Sequence, residues 1–301
     1  IGSITGKRRM KQCLACSKRF ISEDWVCPRC GNIPESRNGY LSFTQPAADT
    51  GRGFDSGSYR HLARLEAKNF WFRSRNRLLI WALRRCFPDA ERFLEIGSGT
   101  GFVLSGIRRE FPKMKITGSD IYPQGLDYAR ERVSDAAFLH MDACAIPFED
   151  EFDVIGAFDI LEHIQDDALA LREMYRAVHR GGGIVLTVPQ YMWLWSAQDK
   201  AAFHVRRYSR GRLLKRVEEA GFTVGYMTSF ITFLFPLLAV SRLCSRWMNR
   251  HDGAHDWTRE LNLNPAANTL FEAICNAELF FVKKGVKMPA GGSLLCIGIK
   301  E

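Results

Sequence analysis

Apolar residues follow two periods along the chain, and the switches between them predict its elements. Phe93-Leu94-Glu95-Ile96 is a short strand-like run that meets a glycine-rich turn, Gly97-Ser98-Gly99-Thr100-Gly101; Phe102, Val103 and Leu104 then open a helical pattern. Strand-like Met114–Gly118 ends at Ser119-Asp120, helical spacing runs from Gln124 to Val133, and strand-like Ala137–Met141 ends at Asp142. An apolar strand over Phe152–Phe158, a helix over Asp166–Val178, a Gly181-Gly182-Gly183 turn and a strand over Ile184–Val188 follow. Repeated strand-helix order with near-continuous apolar strands predicts an α/β fold, a parallel sheet covered by helices on both faces. Ligands of such sheets sit beyond the carboxyl ends of the strands.

Upstream, Tyr59 to Phe87 has helical spacing, and Gly31 to Ser58 has the Gly, Pro, Ser and Asn content of a linker. Downstream come a helix over Arg210–Ala220 and a sixth strand over Phe222–Met227. No charge falls between Glu219 and Arg242, and Phe230 to Val240 is strongly apolar. Gly225, Thr228, Ser229, Thr232 and Pro236 interrupt that window too often for a transmembrane helix. It is expected as an insertion that covers a substrate pocket or lies in a membrane interface, with Arg242, Arg246 and Arg250 beside it. The helical pattern of Leu270–Val282 is expected to pack with it, and Ser293–Ile299 to close the sheet.

The glycine turn carries the first chemistry. A backbone that turns sharply at a helix N-terminus needs glycine for positive φ and close ligand approach, and it presents free N–H donors. Dinucleotide folds use a related GxGxxG turn, but Glu95 would repel a pyrophosphate and attract an ammonium group. Asp120, about twenty residues on, is placed to accept hydrogen bonds from ribose hydroxyls.

With Met141-Asp142-Ala143, Ile146-Pro147-Phe148, Phe152-Asp153-Val154-Ile155, Asp159-Ile160-Leu161-Glu162-His163 and Arg180-Gly181-Gly182-Gly183 in order, the chain resembles class I S-adenosylmethionine-dependent methyltransferases, notably those of quinone precursors. The resemblance implies a Rossmann-like seven-stranded sheet with an antiparallel last strand. It implies cofactor contacts from Glu95, Gly97, Ser98, Gly99, Gly101, Asp120, Ile121, Asp142, Ala143 and Phe158. Asp142 takes the adenine amino group, and the helix before the glycine turn lies across the pocket, which directs attention to Arg73 and Asn76. In quinone-precursor relatives a pair like Glu162-His163 lies near the acceptor and has been linked to a divalent metal. Glu162 and His163 are therefore candidate catalytic residues, with helix capping as the plain alternative. His204 is a second candidate base, from an aromatic-rich loop expected over the acceptor, where Arg206 or Arg207 could hold a phosphate or carboxylate, the alternative being that Arg207 and Tyr208 only start and pack the next helix.

Two CxxC units, Cys13/Cys16 and Cys27/Cys30, have the spacing of a zinc ribbon and the thiolate chemistry that tetrahedral Zn²⁺ prefers. So short a segment builds little core, and the ion would supply folding energy. The other five cysteines stand singly among apolar residues, which with the polar, basic start of the chain reads as cytoplasmic, peripheral to the inner membrane face if the apolar insertion engages lipid. The expected organisation is a ribbon over 10–34, a linker over 35–58 and a methyltransferase domain over 59–301 with its insertion near 230–290.

The net charge of +9 concentrates at Lys7, Arg8, Arg9, Lys11, Lys18 and Arg19, around Arg73, Arg75, Arg77, Arg84 and Arg85, and from Arg206 to Arg216. Such clusters suit phosphate-bearing partners or plain solvated helix faces. The leading expectation is methyl transfer to a small-molecule or lipid-linked acceptor, at oxygen. An RNA methyltransferase that grips phosphates with ribbon and arginines stays open, although Phe158-Asp159-Ile160-Leu161 is not the strand end used on exocyclic base amines. A cofactor-binding scaffold without turnover is the third reading.

Overall fold

A computed structural model describes residues 10–44, 56–248 and 263–301. Lys7, Arg8, Arg9, Arg250 and the Arg246 side chain lie outside the described set. The N-terminal segment supplies β1 (Met10–Gln12) and β2 (Arg19–Phe20), then β3 (Glu35–Arg37) and β4 (Tyr40–Phe43). The expected linker therefore contains a hairpin. Its β4 pairs in parallel with a strand of the main sheet, because Tyr40 and Phe43 are apolar enough to be buried there.

The segment expected as one helix is two, α1 (Ser56–Leu65) and α2 (Phe70–Cys86). Asn69 restarts the second by accepting the Trp71 amide at 2.9 Å. Then follow β5 (Arg92–Ile96), α3 (Phe102–Glu110), β6 (Lys115–Asp120), α4 (Pro123–Arg132), β7 (Ala137–Met141), the short β8 (Phe148–Glu149) and β9 (Phe152–Phe158). The chain continues through α5 (Asp167–Ala177), β10 (Val178–Pro189), α6 (Ala197–Ala201), α7 (Arg210–Glu219), β11 (Thr223–Phe230), α8 (Phe235–Met248), α9 (Pro265–Lys283) and β12 (Ser293–Ile299).

Among the described residues the main sheet has nine strands in the order β11-β12-β10-β9-β5-β6-β7-β4-β3. Seven match the expected methyltransferase sheet, and the β3-β4 hairpin extends it. β12 is antiparallel to both neighbours, as expected. Neighbouring residues of one strand serve opposite layers: Leu94 belongs to the buried cluster that holds Leu171, Met174 and Leu213, whereas Phe93 belongs to the one that holds Leu79, Leu104 and Leu279. Each such fully buried side chain contributes about 1.5–3 kcal/mol.

The insertion between β11 and β12 is helical. Its entry is fixed by Glu278 of α9, whose carboxylate accepts the Thr232 and Phe233 amides at 2.6 and 3.0 Å. No helix of the described residues is long and apolar enough to cross a membrane. The cysteine module is not detached: β1 pairs antiparallel with both β2 and β8.

Candidate active site

The β5-α3 turn is built from glycine because its backbone demands it. Gly97 has φ 70° and Gly99 φ 50°. A Cβ on Gly97 would fall 2.1 Å from Ile160, whereas one on Gly99 would meet only open space, so that turn faces a ligand-sized void. Thr100 moors the turn by donating to Glu66 at 2.6 and 2.7 Å, and Arg132 of α4 pairs with the same carboxylate at 2.7 Å. Asp120, at the end of β6, accepts the Gly99 and Tyr122 amides at 2.8 and 2.9 Å. Burial pushes its carboxyl up to about 6 against those amides.

One cavity of about 1240 Å³ joins Gly97, Gly99, Asp120 and Ile121 to Asp142, Ala143 and Phe158. Glu95, Ser98 and Gly101 are not on its wall. Glu95 is 2% exposed beneath the turn, its Oε2 has no partner, and burial pushes it well above the usual carboxylate range. Asp142 steadies its own loop by accepting the Cys144 amide at 2.8 Å.

The same cavity is lined by Glu162, His163 and His204, whose ligating atoms lie within 4.8 Å of one another. His204 Nδ1 lies 2.8 Å from Asp199 Oδ1. Burial raises Asp199, but hydrogen bonds from His204 and Arg207 and the Ser196 amide overcome it and hold the carboxyl at about 2. An anion at Nδ1 fixes the proton there and leaves Nε2 as the basic nitrogen, 4.0 Å from Glu162 Oε1. Glu162 is fully buried with neither oxygen hydrogen-bonded; burial, reinforced by Asp159, pushes it well above its usual range. Burial and His204 lower His163 to about 3, so it stays neutral at working pH.

Arg75, not Arg73 or Asn76, reaches this cavity. It pairs with Asp159 and lies over the Trp71 ring at 4.4 Å. Arg73 and Arg77, four apart on one helix face, both pair with Glu272 of α9, and Asn76 donates to the Phe102 carbonyl. Arg206 and Arg207 are likewise committed: Arg206 to the Gln165 carbonyl and Asp167, Arg207 to Asp199 and the Gln190 carbonyl. Arg242 is buried against Ser196 and Gln198 instead of standing at a surface. Asp199 and Arg75 were not singled out from sequence; a carboxylate five residues before the loop histidine was the available signal for Asp199.

In the N-terminal module the Cys13–Cys30 and Cys16–Cys27 sulfur distances are 3.7 and 3.6 Å, and all four sulfurs lie within 4.8 Å. A tetrahedral ion with metal–sulfur bonds of about 2.3 Å has sulfur–sulfur edges of about 3.8 Å. The thiols fit such an ion.

Residues 94–186, which contain the glycine turn, Asp120, Asp142 and the Glu162-His163 pair, match the family model described as a methyltransferase domain. They carry a methyltransferase domain. The chain is 25% identical over 171 residues to a Mycolicibacterium smegmatis protein named "Probable S-adenosylmethionine-dependent methyltransferase", covering 55% of this chain and 64% of that protein. It is 34% identical over 99 residues to a demethylmenaquinone methyltransferase of Thermotoga maritima, covering 33% of this chain and 43% of that one. The matches thus span less than two thirds of either relative. Phosphoethanolamine N-methyltransferase 2 of Haemonchus contortus, solved with S-adenosyl-L-methionine, shares the methyltransferase fold: TM-score 0.54 at 17% identity, over 97% of this chain and 67% of that one.

Proposed function

We propose that this protein transfers the methyl group of S-adenosylmethionine to a small-molecule or lipid-linked acceptor, at oxygen. The observation that carries this reading is a single cavity lined both by the glycine turn with its strand-end carboxylates and by Glu162, His163 and His204. The residues fit the cofactor: Gly99 leaves open the space a side chain would fill, and Asp120 and Asp142 stand at adjacent strand ends. In this reading Asp120 accepts from the ribose hydroxyls, Asp142 and Ala143 bind the adenine edge, and Ile121 and Phe158 flank it. Glu95, buried beneath the turn, ionises when the ammonium end arrives above it and then stabilises that end through space.

The transfer needs an in-line acceptor that has lost its proton. His204 Nε2 is placed to take the proton of an acceptor hydroxyl, and S-adenosylmethionine, when bound, would supply an electrophilic methyl group whose sulfur is left as a neutral thioether when the acceptor oxygen takes the methyl. Asp199 stabilises the imidazolium that results. Glu162 and His163, neutral in this setting, serve as hydrogen-bonding groups for the acceptor. A mostly apolar cavity, whose lining arginines Arg75 and Arg207 are already paired with Asp159 and Asp199, favours an uncharged aromatic acceptor over a phosphorylated one, in keeping with the demethylmenaquinone relative. The arginines tied to Glu272, Asp167 and Asp199 also weaken the RNA reading.

Methyl-labelled cofactor offered with hydroxylated quinone precursors, with and without prenyl tails, and with RNA tests the proposal. An O-methylated aromatic product is expected; label in RNA alone would overturn it.

The lipid-linked form is supported by the face of the insertion. Phe233, Leu237, Val240 and Leu243 recur every three or four residues and are exposed, as are Phe280 and Phe281 of α9; Leu237 also lines the cavity. Lys283, Lys284 and Lys287 stand exposed at the end of α9, with Lys284 over the Phe280 ring, and α8 has no acidic residue. An apolar face rimmed by lysines matches an anionic bilayer surface. The protein is expected to float with anionic vesicles, and Phe233→Asp with Leu237→Asp to abolish flotation; co-flotation unchanged by these substitutions would remove the membrane contact.

For the cysteine module we propose zinc as the structural ion. Metal analysis of protein purified without chelator is expected to find about one zinc per chain. Zinc-free protein with an intact module would count against it.

A further inference from the structure

Methyl transfer leaves the cysteine module without a task, yet the module does not hang free. Its β1 adds to β8, with Met10 opposite Glu149 and Lys11 opposite Phe148, and the Gln12 amide donates to the Pro147 carbonyl at 3.0 Å. Arg19 of β2 pairs with Glu149 at 3.0 Å. Trp25 is half-buried against the methyltransferase core, 4.5 Å between ring centroids from Phe43 and 5.5 Å from Phe148. These contacts converge on the end of one loop, 142–147, which begins with Asp142 and Ala143.

That loop is held on its other side by α5, where Glu173 accepts the Ile146 amide at 2.9 Å and Arg176 donates to the Ile146 and Phe148 carbonyls. The module is the second jaw. Within it, Cys13 directly follows β1 and Cys27 lies two residues past Trp25, so an ion held by both fixes the added strand relative to the indole. Little else does. The module's own buried cluster is Cys13, Phe20 and Cys27, supplemented by Lys11, which lies over the Trp25 ring at 4.4 Å and donates to the Glu23 and Asp24 carbonyls.

We infer that the four-cysteine module is a metal-dependent clamp on the adenine-side loop, with Trp25 as its positioning residue. The clamp orders Asp142 and Ala143 before the cofactor arrives, so binding does not have to supply that ordering. This rests on the cofactor reading given above for Asp142.

The test uses the full chain and S-adenosylhomocysteine in titration calorimetry, with amide hydrogen exchange read by peptide. Stripping zinc with a chelator, or Trp25→Ala, is expected to weaken binding about five- to tenfold. Either treatment should speed exchange over residues 142–149 and leave 97–105 unchanged; Trp25→Phe is expected to restore most of the affinity. Gln12→Pro, which removes the amide donor to Pro147, carries the test if Trp25→Ala does not fold. Unchanged affinity and unchanged exchange over 142–149, while residues 10–34 open, would overturn the clamp. A wild-type chain that binds no S-adenosylhomocysteine overturns the cofactor reading, and the exchange comparison still decides the clamp.

Discussion

Gly99→Arg is expected to abolish detectable S-adenosylmethionine binding while leaving the sheet folded. The position has φ 50°, so a side chain there is strained, but a single residue in the left-handed region costs only about 1–2 kcal/mol against a total stability of about 5–15 kcal/mol. The larger effect is spatial. The Cβ direction at Gly99 is open and the residue lines the cavity, so an arginine side chain occupies the volume proposed for the cofactor. We expect the dissociation constant to rise at least about a hundredfold in calorimetry, with the unfolding temperature lowered by only a few degrees. Affinity that survives the substitution would move the cofactor out of this turn.

A pH dependence accompanies it. In the proposed cofactor reading ribose hydroxyls donate to Asp120, so binding favours the ionised carboxylate, and the free protein holds that carboxyl at about 6. Above pH 6 the group is already ionised. Below it, binding must expel a proton, so affinity falls by up to about tenfold per pH unit, and Asp120→Asn is expected to bind more weakly without that slope.

His204→Ala is expected to lower kcat by about 10²–10⁴-fold, the range of a lost general base, with cofactor affinity within about twofold of wild type. The separation is the informative part. A residue that merely packed the loop would change binding and stability along with turnover. Asp199, held at about 2, remains an anion through the accessible pH range, so activity lost on acidification is not a failure of the partner of His204. A His204→Ala enzyme that keeps its turnover would leave His163 or solvent as proton acceptor and dissolve the role given to Asp199.

What was legible in the sequence had strong local causes. The glycine turn must be glycine at Gly97, where a Cβ collides with Ile160, and the strand-end acids follow from the direction of a parallel sheet. The β3-β4 hairpin was hidden because four residues, Tyr40 to Phe43, among turn formers carry no readable period, and its pairing with β7 is a tertiary event. The helix phase was lost for a similar reason. Asn69 breaks and restarts the helix, and two residues of phase decide whether Arg73 or Arg75 enters the cavity. The ion pairs within the charge clusters were not legible because their carboxylate partners, Glu272, Asp167 and Asp199, come from other elements.

The place of β12 has a consequence for how the polypeptide is made. It lies between β10 and β11, so β11 has no seat in the sheet until residues 293–299 have left the ribosome. Until then β10 presents an unpaired apolar edge and β11 is stranded, a state open to wrong pairing between nascent chains. Completion of the sheet therefore waits on β12, which requires the long connection between β11 and β12 to close first.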